Sequence, residues 1–383
     1  MFERYFPWGI ACGEAFLGRK KEINRLKNNI TKGYHTLLLS PRRYGKTSLA
    51  KYVINSTKQL WIEIDLFVAQ DEFSVEQKFL KGVQSIISQI DAPEKWFNIL
   101  VNFFKHTNKT WTVGIKGLQL ELKPESHKDI PQNILDSLTA LEYVLKKKKQ
   151  KAILFIDEFQ EIANIKINRA IEGAIRNFAQ STAHIVFIFS GSSRHMLKHM
   201  FGDKTRPLYA LCDEINLDRL KSEDYKTYLN KVAKKTWGEE LKEEVLHKII
   251  EVTECHPRYV YNLCMFLWEH CVQLKKKIAE RDIDIVWTML IEDRLKDTRE
   301  ILSAKSKGQI KILSLIALGY NKEITGQLAQ GKLAMSGSAI SQSLKILEKE
   351  DYIEKILPDT SYRIIDPLLR STLAKYGADY FVS

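Results

Sequence analysis

Gly45, Lys46 and Thr47 offer the first chemistry in this chain, because the residues around them run from an apolar strand into a helix start. Residues 36–39 (Thr-Leu-Leu-Leu) read as the strand, and Ser40-Pro41-Arg42-Arg43-Tyr44-Gly45 as a tight loop opening onto a helix at Lys46. In that setting the backbone N–H groups from about Tyr44 to Ser48 converge on a phosphate, and the positive end of the helix dipole points the same way. Lys46 is the point charge expected to bridge β- and γ-phosphate oxygens, and the Thr47 hydroxyl is a hard oxygen ligand for Mg²⁺. One position departs from the G-x-x-x-x-G-K-[ST] pattern: Ser40 stands where the first glycine would be. Gly45 is kept, at the point where a side chain would collide with phosphate.

A second element matches the first. Residues 152–158 (Ala-Ile-Leu-Phe-Ile-Asp-Glu) form a continuous apolar run ending in two carboxylates. So apolar a strand is buried on both faces, as in the middle of a parallel sheet. Acids at its carboxyl end lie in the crevice where open α/β sheets bind ligands. Asp157 fits the residue that holds Mg²⁺ through water, and Glu158 fits the base that polarises an attacking water. The structural alternatives are a chance Gly-Lys-Thr and a strand ending in a solvated charged turn. Two matched halves of a nucleotide site are more specific than either alone.

The whole chain must position these groups. Its 383 residues suffice for two or three domains, and its 44% hydrophobic and 28% charged residues are ordinary for a globular protein. No apolar run reaches the roughly 18–20 residues of a membrane span, and the first residues lack a charged-then-apolar signal pattern. Cys12, Cys212, Cys255, Cys264 and Cys271 show neither C-x-x-C pairing nor zinc spacing, which suits a reducing cytoplasm. A net charge of +12 raises the question of polyanions, but the runs Lys146–Lys149 and Lys275–Lys277 both follow helical patterns and read as solvated helix ends.

Strands alternate with helices from Thr36 to about residue 215, which implies a mostly parallel three-layer α/β sheet. Strands are expected at 37–40, 60–66, 152–158 and 184–190. Helices are expected from Lys46 and at about 73–90, 130–148 and 166–180, with an irregular apolar stretch through Phe104. Residues 111–122 alternate at period two around Lys116-Gly117 and read as an inserted hairpin. Successive amphipathic helices follow at 221–234, 239–253, 257–274 and 281–298. The last stretch reads as helices at 306–318, about 324–332 and 336–350, then a hairpin pairing 352–356 with 362–365. That is the winged helix-turn-helix order. The expected division is an N-terminal opening segment 1–33, a P-loop NTPase core 34–218, an all-helical lid 219–300 and a winged-helix domain 301–383.

With these elements in this order, the chain resembles the archaeal/bacterial ATPase family within the STAND branch of the AAA+ P-loop NTPases, over nearly its whole length. The carriers are Phe16-Leu17-Gly18-Arg19 with Glu22, the loop Ser40–Thr47, Ile156-Asp157-Glu158-Phe159-Gln160, Gly191-Ser192-Ser193-Arg194-His195-Met196, Cys255-His256-Pro257-Arg258-Tyr259 and Asp366-Pro367-Leu368-Leu369-Arg370. The resemblance implies a Mg²⁺-dependent ATPase switch. It places Gly18 and Arg19 near the adenine, and Ser192 and Arg194 on the turn whose polar sensor faces the γ-phosphate. It makes His256 and Pro257 the lid motif whose histidine reaches the phosphates, the alternatives being a structural helix-start histidine or sensor work by Arg258 instead, as an arginine does in the related origin-recognition-type initiators. Many relatives carry Leu-Tyr-Gly-Arg before the lid, whereas this chain has Leu208-Tyr209-Ala210-Leu211, so a catalytic arginine is missing there. Arg206 and Arg194 are the candidates to replace it.

Three readings compete: an ATPase switch that binds ATP and ADP and acts through a protein partner or self-association; a DNA-binding ATPase of initiator or regulator type; and a nucleotide-bound scaffold with little turnover. Residues 305–383 hold eleven Lys/Arg against eight Asp/Glu, and helix 336–350 sets Lys345 and Lys349 against Glu348 and Glu350. That balance gives a DNA partner little support. Glu158 counts against the scaffold, which would not require it.

Overall fold

The computed structural model describes residues 2–91, 93–105, 111–116, 119–356 and 358–382. The chain forms two compact units. One comprises Arg19–Arg42 with Lys46–Leu217; the other comprises Met1–Gly18, Arg43–Gly45 and Asp218–Ser383.

The first unit is built on strands β1 (Thr36–Leu39), β2 (Leu60–Asp65), β3 (Trp111–Lys116), β4 (Gln119–Pro124), β5 (Ala152–Asp157), β6 (Ile185–Gly191) and β7 (Asp213–Asn216). Five of them make one parallel sheet in the order β2-β5-β6-β1-β7. β1, β5 and β6 are buried along their whole length, as their unbroken apolar runs require. Register sets Leu39 beside Gly191, and Asp65 beside Asp157, so the strand ends that carry the motif residues share one edge of the sheet. That edge is where ligands bind in open α/β sheets. β3 and β4 pair as the expected antiparallel hairpin; Gly117 and Leu118 of its turn lie outside the described residues.

Two expectations need correction. The stretch read as irregular is a helix, Pro93–Lys105, whose Trp96, Leu100 and Phe104 recur every four residues and are all buried. The single helix expected at 281–298 is two, Glu280–Asp293 and Leu295–Ser303, parted at Arg294 with ψ of 2°. No glycine or proline announces that break. The lysine runs do sit at helix ends: Lys149 caps Ile130–Lys148 with φ of 52°, and Lys275 follows Pro257–Gln273.

The second unit is helical: Ser222–Trp237, Glu243–Thr253, Pro257–Gln273 and the two helices just named. The N-terminal residues fold onto them. Phe2, Tyr5 and Phe6 join a core with Tyr228, Tyr261 and Trp268, and the Phe6 and Trp268 rings lie 5.0 Å apart. Next come helices Lys307–Ala317, Gln327–Leu333 and Gly337–Lys349, the antiparallel pair β8 (Ile353–Ile356) and β9 (Ser361–Ile364), and the helix Pro367–Tyr376. Helix, helix, helix, hairpin is the order expected from the sequence, and these elements share their own apolar core. Among the described residues no helix is long and apolar enough to cross a membrane.

A buried histidine fixes one wall of the sheet. His35 accepts a hydrogen bond from the Phe187 N–H at Nδ1 (3.1 Å), and its Nε2–H donates to the Ala179 carbonyl (2.9 Å). This pairing requires the neutral ring, and burial lowers its pKa below the ordinary histidine value, against the Ala179 bond, which raises it. The unfolded chain therefore takes up the proton at higher pH than the folded one. The stability from His35 is complete above the unfolded value of about 6.5 and is lost as pH falls below it. Thermal unfolding between pH 7.5 and 5.5 should show a steeper loss for wild type than for His35→Gln.

Candidate nucleotide site

In the sheet unit, the loop after β1 leads into the helix Lys46–Thr57, and the motif groups gather at the carboxyl ends of β1, β5 and β6. Lys46 is 6% exposed, and its Nζ donates to the carbonyls of Ser40 (3.0 Å) and Pro41 (3.1 Å). Its charge is thus held on the loop's own backbone. The Thr47 hydroxyl donates to Asp157 Oδ2 at 2.7 Å. The other oxygen, Oδ1, accepts from the Ser190 hydroxyl and from the Glu158 N–H (2.9 Å). Hydroxyl and carboxylate oxygens in this arrangement are the hard donor set that Mg²⁺ takes, usually with several waters retained. Pro41 and Ser48 are buried, and Arg42 is exposed.

Glu158 has φ of 52°, an uncommon conformation for a residue with a side chain. Its Oε2 accepts from Gln160 Nε2 (2.6 Å), the Ser192 hydroxyl (2.8 Å) and the Ser192 N–H (3.1 Å). Burial opposes its charge, but these donors and the nearby Lys46 outweigh it and bring the pKa below the usual glutamate value. It is therefore a carboxylate at neutral pH. Arg194 opens the helix Arg194–Gly202 and is half-buried. Arg19 is buried, with a guanidinium nitrogen 3.7 Å from Glu22. Arg206, one of the two candidate replacements for the missing arginine, is buried against Glu172 and holds its charge there. Ala210 adopts φ of 54°, the left-handed conformation that glycine takes most readily.

The second unit holds the remaining expected residues. Tyr44 is 1% exposed; its hydroxyl accepts from Arg219 Nε (3.2 Å) and donates to Glu354 Oε1 (3.3 Å). Gly45 has φ of 91°, open to glycine and strained for other residues. His256 caps the helix that Pro257 opens, and its ring meets Tyr44 and Tyr259 edge-on, each at 4.9 Å. Burial, then the charges of Arg219, Arg43 and Arg258, hold its pKa well below the ordinary range, so the imidazole is neutral. Gly18 has φ of 62°, and a side chain there would strike Asp224 and Leu220.

Comparison with known proteins gives this geometry its context. Residues 16–263 match the model of an ATPase domain predominantly from Archaea, a span of more than half the chain. The chain belongs to this ATPase family. An uncharacterized ATP-binding protein of Methanocaldococcus jannaschii is 26% identical over 254 residues, covering 61% of this chain and 66%, just under two thirds, of that relative. A Walker-type ATPase of Pyrococcus abyssi has a similar fold at a TM-score of 0.67, with 20% identity over 97% of this chain and 99% of that one. The Aeropyrum pernix ORC2 protein, solved as ADPNP–ADP complexes, is similar at a TM-score of 0.59, with 16% identity over 99% and 95% of the two chains.

For this archaeal-type ATPase, the nucleotide-binding and hydrolytic reading of the family stands. The sequence left three residues without a role. Ser190 stands next to last in an otherwise apolar strand, and a polar residue in that position is a readable signal. Gln160 is 3% exposed and touches both Glu158 and Ser192; its Oε1 has no hydrogen-bond partner among the described residues. Arg219 carries no motif at all. Gly191 is fixed by Gln160, because a Cβ at 191 would lie 1.9 Å from Gln160 Oε1. Gly191→Ala should therefore displace Gln160 and cost about 1–3 kcal/mol by overpacking. ATP turnover should fall by more than this stability loss explains, as seen by comparing melting temperature with turnover well below it.

Proposed function

We propose that this ATPase is a Mg²⁺-dependent switch of the STAND branch of AAA+ proteins, in which the nucleotide state is coupled to a C-terminal winged-helix module. The observation that carries the reading is the pairing of the Thr47 hydroxyl with Asp157 at 2.7 Å, beside a Lys46 whose ammonium donates to the loop carbonyls of Ser40 and Pro41. Lys46 exchanges those carbonyls for β- and γ-phosphate oxygens, a charge-assisted replacement for neutral acceptors. Thr47 and Asp157 would hold Mg²⁺, which would neutralise charge on the phosphates. Glu158, ionised at neutral pH, orients a water and takes its proton; Ser192 and Gln160 keep the carboxylate aimed while it waits. Arg194, at the start of the helix that follows β6, is assigned to stabilise developing charge, and Arg206 is paired with Glu172.

Gly18 and Arg19 are assigned to the adenine side. Arg43 and Arg258, whose side chains make no hydrogen bond or close ion pair among the described residues, are assigned with His256 and Pro257 to sensing the phosphates. The helices between residues 219 and 300 act as the lid and residues 301–383 as the winged module. All five cysteines are free, in keeping with a cytoplasmic protein.

Protein contact or self-association suits the module better than sequence-specific DNA reading. The hairpin's Arg363 is engaged by Glu354, and Lys305 by Glu350. Ser336, Ser338, Ser341, Gln342 and Ser343 supply polarity on helix Gly337–Lys349 and its cap, without the charge that makes DNA binding tight.

Two measurements test these assignments. Lys46→Ala should weaken ATP binding, whereas Glu158→Gln should bind ATP normally and lose turnover by ~10²–10⁴-fold; equal turnover in Glu158→Gln and wild type removes Glu158 from its role. Duplex titration with the full chain should give weak, salt-steep binding indifferent to sequence. Tight binding to one sequence at physiological salt would promote the DNA-reading alternative.

A further inference from the structure

The segment Arg43–Gly45 belongs to the same compact unit as the C-terminal residues, and Tyr44 is the reason. Its phenol is buried, and burial pushes its pKa up, so the hydroxyl remains a proton donor at any working pH. That hydroxyl is hydrogen-bonded to Arg219 and to Glu354, groups of opposite charge. Arg219 donates to it through Nε, and it donates to the Glu354 carboxylate on β8. Glu354 also accepts from Arg363 on β9 through Nε (3.0 Å) and a terminal nitrogen (2.6 Å). Arg219 is used to its full capacity. One terminal nitrogen donates to the Glu254 carbonyl (2.9 Å) and carboxylate, just before His256, and the other to the carbonyls of Ile365 (3.0 Å) and Ile364 (3.4 Å) at the end of β9. A lysine could not make these contacts together, because it lacks the planar fork.

We propose that Tyr44 and Arg219 form a positioning pair that ties the tip of the phosphate loop to the β8–β9 hairpin, so that a nucleotide rearranging residues 43–45 also changes how firmly the hairpin is held. The inference rests on the nucleotide reading of the Gly45-Lys46-Thr47 loop, and it adds the device by which that site reports outward. Neither residue touches the reacting atoms. Their effect passes through the Tyr44 hydroxyl, which is a bridge between two opposite charges.

The test removes that oxygen alone. Tyr44→Phe keeps the ring against His256 but leaves Arg219 Nε without its acceptor, so its melting temperature is measured and every titration and digestion is run well below it. Glu354→Gln and the double variant complete a cycle, with Lys46→Ala as the control for binding. Fluorescent ATP and ADP titrations on the full chain are paired with tryptic cleavage at Lys355 and Arg363, with and without nucleotide. In wild type, cleavage at these sites should differ between ATP- and ADP-bound protein. In Tyr44→Phe that difference should vanish while ATP still binds, with the ATP/ADP preference shifted by about tenfold, the scale of one hydrogen bond to a charged group. Glu354→Gln should act in the same direction, and the double variant should add little to either. A Tyr44→Phe protein whose cleavage still follows the nucleotide as wild type does overturns the proposal and leaves the nucleotide reading intact. Wild type that binds no ATP, or binds it unaffected by Lys46→Ala, overturns both.

Discussion

Asp157 is the residue on which the rest of the sheet unit turns. One carboxylate at the end of β5 accepts from Thr47 on the helix after the phosphate loop, from Ser190 near the end of β6 and from the backbone of its successor. It thus connects three elements far apart in sequence at the edge where the motif residues gather. A buried carboxylate is tolerated only when its oxygens are met by donors, and here both are. Those donors also hold oxygen atoms where a hard cation could share them. Packing and chemistry make the same demand on this position.

The sequence announced the parts of the site whose logic is local. A phosphate loop is a strand, six loop residues and a helix start within one stretch, and the Asp157-Glu158 pair follows directly on the strand that presents it. The parallel sheet was equally legible, because alternating buried strands and amphipathic helices leave few other arrangements. What could not be read depends on register between distant strands. That Ser190 meets Asp157 follows from β6 lying against β5, and that Gly191 tolerates no side chain follows from where Gln160 lies. The helix Pro93–Lys105 was missed for a different reason. Its buried stripe of Trp96, Leu100 and Phe104 was present, but the surrounding apolar residues obscured the period.

In the helical unit the unread residues are mostly charged. Arg219, Glu254, Glu354 and Arg363 are spread over well more than a hundred residues, and nothing in their spacing suggests a network. Removing one partner would leave another charge buried without compensation, which costs more than the pair contributes. Such a network specifies one arrangement of its elements more than it stabilises them. His256 fits the same picture, a neutral ring among arginines held there by two tyrosine faces.

The place of β1 in the sheet has a consequence for how the molecule is made. β1 is synthesised before every other strand of its sheet, yet its neighbours among the described strands are β6 and β7, so Thr36 waits for Ile188 and Asp213 before it can pair. Residues 2, 5 and 6 wait longer still, for the helices that hold Tyr228, Tyr261 and Trp268. Contacts between such distant residues close late and slowly. During synthesis the apolar strand ahead of the phosphate loop is therefore an orphan edge, exposed to pairing with other chains until the later strands arrive. The burden on the cell falls at this stage, and it is set by strand order alone.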